Sequence, residues 1–166
     1  SDISLETQHI TYTHFNKTKT VVENNDELTI TYGPDQQRKI SELKNQGVLQ
    51  KKIIYSGNYE KITVGSDVYE VHYIVSGQGL AAISVIENSG TPKIFYVYTD
   101  HLGSLTKITG PNGFEYEQNF DAWGQKRNPA DWTYTENSQT APPWLIRGFT
   151  GHEHLNEFAL INMNGR

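Results

Sequence analysis

Apolar and polar positions alternate along most of this chain with a period of two, in short runs broken by Gly, Asn and Asp. That is the pattern of half-buried strands joined by tight turns. In Thr63–Val75, Gly65-Ser66-Asp67 predicts a turn. After it Tyr69, Val71, Tyr73 and Val75 share one face of a strand, with Glu70 and His72 on the other. Lys93–Thr99 is rich in β-branched and aromatic residues and predicts a strand. Leu102–Thr109 follows, then a turn at Gly110-Pro111-Asn112-Gly113. Phe114–Phe120 comes next, with Phe114, Tyr116 and Phe120 on one face and Glu115, Glu117 and Asn119 on the other.

Upstream, Arg38–Leu43 and Val48–Tyr55 flank Lys44-Asn45-Gln46-Gly47. Ile40 and Leu43 sit three apart, compatible with a short helix, but the explicit turn chemistry and the β-like second arm favour a hairpin. Ile10–Val22 and Leu28–Tyr32 make another pair around Glu23-Asn24-Asn25-Asp26. Asn128–Pro143 holds three of the six prolines and predicts an irregular surface loop. Gly148–Gly165 has no clear period, and His154–Leu160 is compatible with one helical turn. The expected fold is therefore all-β: consecutive antiparallel hairpins with little helix, near the C-terminus.

A weak internal repeat joins three segments: Tyr32–Arg38, Tyr98–Ser104 and Phe120–Arg127. Each has an aromatic residue, an Asp soon after, then Gly or a polar turn, then a new strand. The aromatic packs on its sheet face, the carboxylate accepts turn N–H groups, and Gly supplies a positive φ. One such unit cannot bury its apolar face alone, so units must stack or pack side by side.

At 166 residues the chain suits one ordinary domain. Its core leans on ten Tyr, six Phe and three Trp. A net charge of −5 without a long basic run argues against a duplex nucleic-acid partner. Zero cysteines exclude disulfides, thiolate nucleophiles and Cys-based zinc sites. The longest uncharged stretch, between Glu70 and Glu87, is broken by His72, Ser76, Gly77, Gln78 and Gly79, so no membrane span is expected. The start SDISLETQ lacks the basic and apolar regions of a signal peptide. Without a starting Met, and stopping at Asn164-Gly165-Arg166, the chain reads as a piece of something longer.

Several motifs carry a resemblance. Tyr96–Ser104 (YVYTDHLGS), Phe120–Pro129 (FDAWGQKRNP), and Arg147–Leu155 through Ile161–Arg166 (RGFTGHEHL…INMNGR) resemble the RHS, or YD-repeat, family and especially its repeat-associated core. Tyr55–Lys61 and Val71–Tyr73 through Gly79-Leu80 resemble the degenerate repeats before that core. On this resemblance residues 1–30 are weakly matched N-terminal strands, 31–92 degenerate YD-like repeats and 93–166 the core, all in one continuous domain. The motif residues carried over are Tyr98, Asp100, His101, Gly103, Phe120, Asp121, Trp123, Gly124, Arg127, Gly148, Thr150 and Gly151. Asn156 and Ala159 stand where relatives often carry Asp and Gly, which puts the turn there in question.

The resemblance implies a curved or spiral hairpin sheet that, in intact relatives, closes into a shell around a toxic C-terminal domain. It implies export through the parent protein, to the outside or the cell surface, and partners in the rest of the shell and its cargo. Self-association through unpaired sheet edges is a further expectation. The self-cleaving aspartates of some relatives belong to a motif after Arg166, so no residue here inherits that role.

Catalytic candidates are weak. His152-Glu153-His154-Leu155-Asn156-Glu157 begins like the zinc-hydrolase H-E-x-x-H motif, but Asn156 occupies the second His position. His152, His154 and Glu157 stay as candidate metal ligands beside a structural reading as turn residues. Asp100, His101 and Ser104 are close in sequence, which does not make a triad. Glu115 and Glu117 resemble a glycosidase carboxylate pair only in spacing. Gly77-Gln78-Gly79 lacks the Lys-Ser/Thr of a phosphate loop. Trp132, Tyr134 and Trp144 either bind sugar or cover the core and the neighbouring shell. The reading is a non-enzymatic shell piece without cofactor, with a carbohydrate- or surface-binding module and a metal-dependent hydrolase as alternatives.

Overall fold

The computed structural model describes residues 7–134 and 139–163. Eleven strands lead: β1 (His9–Tyr12), β2 (Thr18–Glu23), β3 (Asp26–Tyr32), β4 (Arg38–Asn45), β5 (Val48–Ser56), β6 (Tyr59–Val64), β7 (Asp67–Ser76), β8 (Gly79–Glu87), β9 (Lys93–Thr99), β10 (Leu105–Thr109) and β11 (Glu115–Glu117). They form one antiparallel sheet in which each strand pairs with its neighbours in sequence, leaving β1 and β11 as edges. Two small hairpins follow, β12 (Asn119–Phe120) with β13 (Lys126–Arg127), and β14 (Glu153–Leu155) with β15 (Leu160–Asn162). The fold is all-β, built of consecutive antiparallel hairpins. Helix among the described residues amounts to single 3-10 turns at Pro111–Gly113, Phe149–Gly151 and Asn156–Phe158.

Two expectations need correction. Ile10–Val22 is not one strand but the hairpin β1–β2. Its loop, Thr13–Lys17, lacks Gly and Pro and places Asn16 at φ +61° instead. Phe114–Phe120 is not continuous either. Gln118 is buried, its N–H donates to the Thr106 carbonyl and its side chain to the Arg147 carbonyl. The chain leaves the large sheet there, so Tyr116 serves one core while Phe120 packs against Phe149 and His154. The closing stretch is a β14–β15 hairpin around one 3-10 turn, Asn156–Phe158, inside the range where a helical turn was expected; Asn164, Gly165 and Arg166 lie outside the described residues. Residues 128–134 and 139–143 hold no strand or helix, while 135–138 of that predicted loop likewise fall outside.

The repeat seen in the sequence is a repeated loop geometry. At Thr13–Lys17, Asp121–Gln125, Gly33–Gln37, Asp100–Ser104 and Gly148–His152 the first N–H donates to the fifth carbonyl, and the fourth N–H donates back to the first carbonyl. The fourth residue is left-handed each time: Asn16, Gly124, Gln36, Gly103 and Gly151. Other hairpins turn in two residues, as at Gln46-Gly47, where both φ are positive (+49° and +80°). That is the geometry whose twist matches paired strands.

Burial follows the alternation. Cross-strand pairs such as Leu28↔Leu43, Ile53↔Ile62, Ile62↔Tyr69, Val71↔Val85, Ile83↔Phe95 and Ile108↔Tyr116 carry the buried face. The segment after Ala141 returns as a cap over that face. Trp144, Leu145 and Ile146 enter the cluster of Ile53, Ile62, Val71, Ile83 and Phe95. Leu155 and Phe158 complete a second cluster with Val21, Leu28, Ile30 and Leu43. Trp144 is thus a core residue, its ring 4.6 Å from that of Phe95, and is unavailable to a sugar. The opposite face leaves Ile54, Ile74, Ile94, Tyr96 and Tyr98 in solvent.

Candidate functional site

The loops that carry most of the motif residues pack against one another. Asp100 and Asp121 organise their loops identically. Asp100 Oδ1 accepts the N–H groups of Leu102 (2.9 Å) and Ser104 (2.8 Å). Asp121 Oδ1 accepts those of Trp123 (2.8 Å) and Gln125 (2.9 Å). For both carboxyls burial pushes the pKa up, yet the N–H donors outweigh it and hold the groups below the ordinary value. The loop Gly148–His152 sits against the other two. Leu105 N–H donates to the Gly148 carbonyl (3.0 Å) and Thr150 N–H to Ser104 Oγ (3.0 Å). Gly124 faces Phe149, so close that a Cβ there would lie 2.8 Å from the ring. Arg127 ties the Phe120 carbonyl (2.8 Å) to Asn119 Oδ1 (3.1 Å). Tyr98, His101 and Trp123 point into solvent.

Two residues outside that motif set, Arg147 and Glu153, do the joining. They face each other across the cap as antiparallel bridge partners, and each reaches a half-buried tyrosine couple on the sheet. Glu153 bonds Arg38, while the Tyr55 hydroxyl donates to both its oxygens (3.0 and 3.1 Å) and contacts Ser41 Oγ (2.9 Å). Arg147 bonds Glu60, and the Tyr73 hydroxyl donates to the same carboxylate (2.7 Å). Each guanidinium lies over its tyrosine ring, Arg38 4.6 Å from the Tyr55 centroid and Arg147 4.8 Å from that of Tyr73. In one couple the sheet supplies the cation and the cap the anion; in the other the roles reverse. Burial, then the adjacent carboxylates, push both phenols far above their ordinary pKa. Nε of Arg147 is buried without an acceptor. Beside the couples lies a polar cleft of about 540 Å³ lined by Lys17, Tyr32, Arg38, Tyr55, Glu60 and Arg147. Charge at an apolar strand position was the available signal for Glu60, which is in phase with buried Ile62; Arg38 is out of phase with buried Ser41 and Leu43 and pairs with Tyr32 only through a register shift. Without the cap's path that signal could not be told from a slipped register.

The candidate metal ligands serve separate contacts. His152 Nδ1 meets Thr150 Oγ1 (2.7 Å). His154 Nε2 accepts the Phe149 N–H (3.0 Å), so this buried ring is neutral with its proton on Nδ1. Burial, and then Lys126 beside it, lower its pKa to about 4. Glu157 pairs with Lys51 (2.9 Å). Among the described residues no three His, Cys, Asp or Glu side chains gather as a metal site. Ser104 is wholly buried with its Oγ accepting the Thr150 N–H, and His101 is exposed. Glu115 and Glu117 both pair with Lys107 (3.0 Å each) on the exposed face.

No protein-family model matches the chain, and no curated protein matches it. Solved structures do. A crystal structure of TcdB2-TccC3-TEV is 17% identical at a TM-score of 0.67, covering 88% of this chain and 8% of that one. A TcdB2-TccC3-Cdc42 structure and a Photorhabdus luminescens Tc holotoxin pore each match at 16% identity and 0.67, with the same coverage. The chain therefore spans about 8% of the length of these neighbours, and at such identity the likeness is one of fold.

Proposed function

We propose that this chain is a wall segment of an RHS-type toxin shell: a non-enzymatic length of hairpin sheet that encloses or supports an effector carried elsewhere in the same polypeptide. The observation that carries this reading is the match of an open eleven-strand sheet, over 88% of this chain, to 8% of a far longer toxin-complex chain. The energetics agree with a mechanical role. The buried charges are spent on holding cap to sheet, where paired and hydrogen-bonded ions are stable and an isolated one is not. The parent protein is secreted or displayed at the cell surface on this reading. Its partners are the remaining shell and the cargo, with no cofactor.

Cryo-electron microscopy of the complete gene product tests it. The expected image is a hollow particle in which further strands extend the sheet beyond β1 or β11. A free-standing domain with solvent along both edges overturns the proposal.

A further inference from the structure

We infer that the groove beside Trp123 is a binding site for a neutral saccharide, a site that does not depend on the wall reading. The groove, about 720 Å³, lies between the Asp121–Gln125 loop and the β14–β15 hairpin and is lined by Trp123, Gln125, Lys126, Asn156, Leu160 and Ile161. That volume falls within the range of small-molecule sites, roughly 300–1,000 Å³.

Trp123 is 89% exposed, the most exposed of the large apolar side chains described. An indole left in water is a cost unless something covers it. Nor is it on a loose loop. Two backbone bonds close the loop, from Asp121 N–H to the Gln125 carbonyl (3.0 Å) and from Gly124 N–H to the Asp121 carbonyl (3.1 Å). Asp121 Oδ1 adds two more, and Gly124 is wedged against Ile161 and Phe149. The ring's backbone is thus set before any ligand arrives, which lowers the ordering cost of binding.

The opposite wall is mixed: Leu160, Ile161 and the exposed Met163 lie beside Asn156. Lys126 Nζ donates to Asn156 Oδ1 (3.1 Å), and the amide nitrogen of this exposed residue is a donor. Gln125 adds an exposed amide, with both a donor and an acceptor. Lys126 is the one lysine or arginine lining the groove and no carboxylate lines it; Glu157 beside it is shared with Lys51. Two further exposed rings are tied to this hairpin. Tyr134 donates to Asp121 Oδ2 (3.1 Å), and Arg127 lies 5.6 Å from the Trp132 centroid.

A flat aromatic face beside neutral amides suits a pyranose, which offers a C–H face to the ring and hydroxyls to the amides. A nucleic-acid strand requires a cationic groove, and a docked helix requires a continuous apolar stripe. This groove has a single lysine, and its apolar residues share the lining with Gln125, Lys126, His154 and Asn156.

Titration of the whole chain with cellotriose, chitotriose and maltotriose, followed by tryptophan fluorescence and calorimetry, tests the site. The expected result is saturable binding of at least one, weakened about tenfold or more in Trp123→Ala and in Gln125→Ala, and retained in Trp132→Ala, with unchanged melting temperatures. Binding by none of the three at tens of millimolar overturns the inference, as does binding indifferent to Trp123→Ala. Dimerisation lost in Trp123→Ala also overturns it, by identifying a second copy as the occupant.

Discussion

Three side chains in the cap decide how it responds to its surroundings. His154 accepts a backbone N–H through Nε2 and sits beside Lys126, so a second proton removes the bond and buries a charge near another of the same sign. Glu153 on the same strand is engaged by Arg38 and Tyr55. With a folded pKa of about 4 against 6.5, the folded state binds fewer protons in that window, so stability falls as pH drops from about 6.5 to 4 and levels off below. The shift corresponds to at most about 3 kcal/mol. Urea unfolding at pH 7, 5.5 and 4 should show a shallower loss for His154→Gln, whose amide oxygen can still accept the Phe149 N–H. Ala159 stands at φ +49° without need of its methyl, where glycine is unstrained. Ala159→Gly should therefore stabilise by about 1 kcal/mol, read as a higher urea midpoint. For the ion couples, Arg147→Met strands Glu60 as a buried charge and should cost about 3–5 kcal/mol. The double variant with Glu60→Leu should recover most of it in thermal melts.

The strands and loops show how much the sequence states openly. Alternation in Tyr69–Tyr73 and the β-rich run Lys93–Thr99 are legible because period two and β-branched content leave one solution. The Asp–Gly loops at 100–104 and 121–125 are legible because Asp and Gly are the residues their conformation favours. Thr13–Lys17 hides because Asn16 and Thr13 supply the same geometry without glycine, Thr13 Oγ1 accepting the Lys17 N–H (3.1 Å). β14 and β15 hide because three-residue strands are too short for a period to register. The seam of Arg147 and Glu153 was invisible for a different reason: its partners lie 87 and 115 residues away. The loop glycines also differ in a testable way. Gly124→Ala meets Ile161 at 2.4 Å and Phe149 at 2.8 Å as well as an unfavourable φ of +84°. Gly103→Ala at +81° meets nothing within 4 Å. Calorimetry should give a loss of about 1 kcal/mol for Gly103→Ala and more than twice that for Gly124→Ala.

As a whole the molecule is a ribbon with a fastened cover and two unlike edges. At β11 the Glu117 N–H is taken by the Gln139 side chain (3.2 Å), and Glu115, Glu117 and Lys107 cluster beside it. Charge and a covering loop are the usual defences of an edge. At β1 the short run His9–Tyr12 carries no charged Lys, Arg, Asp or Glu, and Tyr12 is exposed. Association at high concentration should therefore run through β1. Light scattering should show it weakened by Tyr12→Lys and unaffected by Lys107→Ala.

The fastening of that cover to β4–β5 on one side and β6–β7 on the other makes it a gauge of strand number. Adjacent strands lie about 4.8 Å apart, so a hairpin inserted between β5 and β6 would carry Glu60 roughly 10 Å out of Arg147's reach. The same insertion ahead of β1 would leave both couples where they are. A protein of this build can grow by whole hairpins at its beginning, but the four strands that the two couples tie to the lid are a counted quantity.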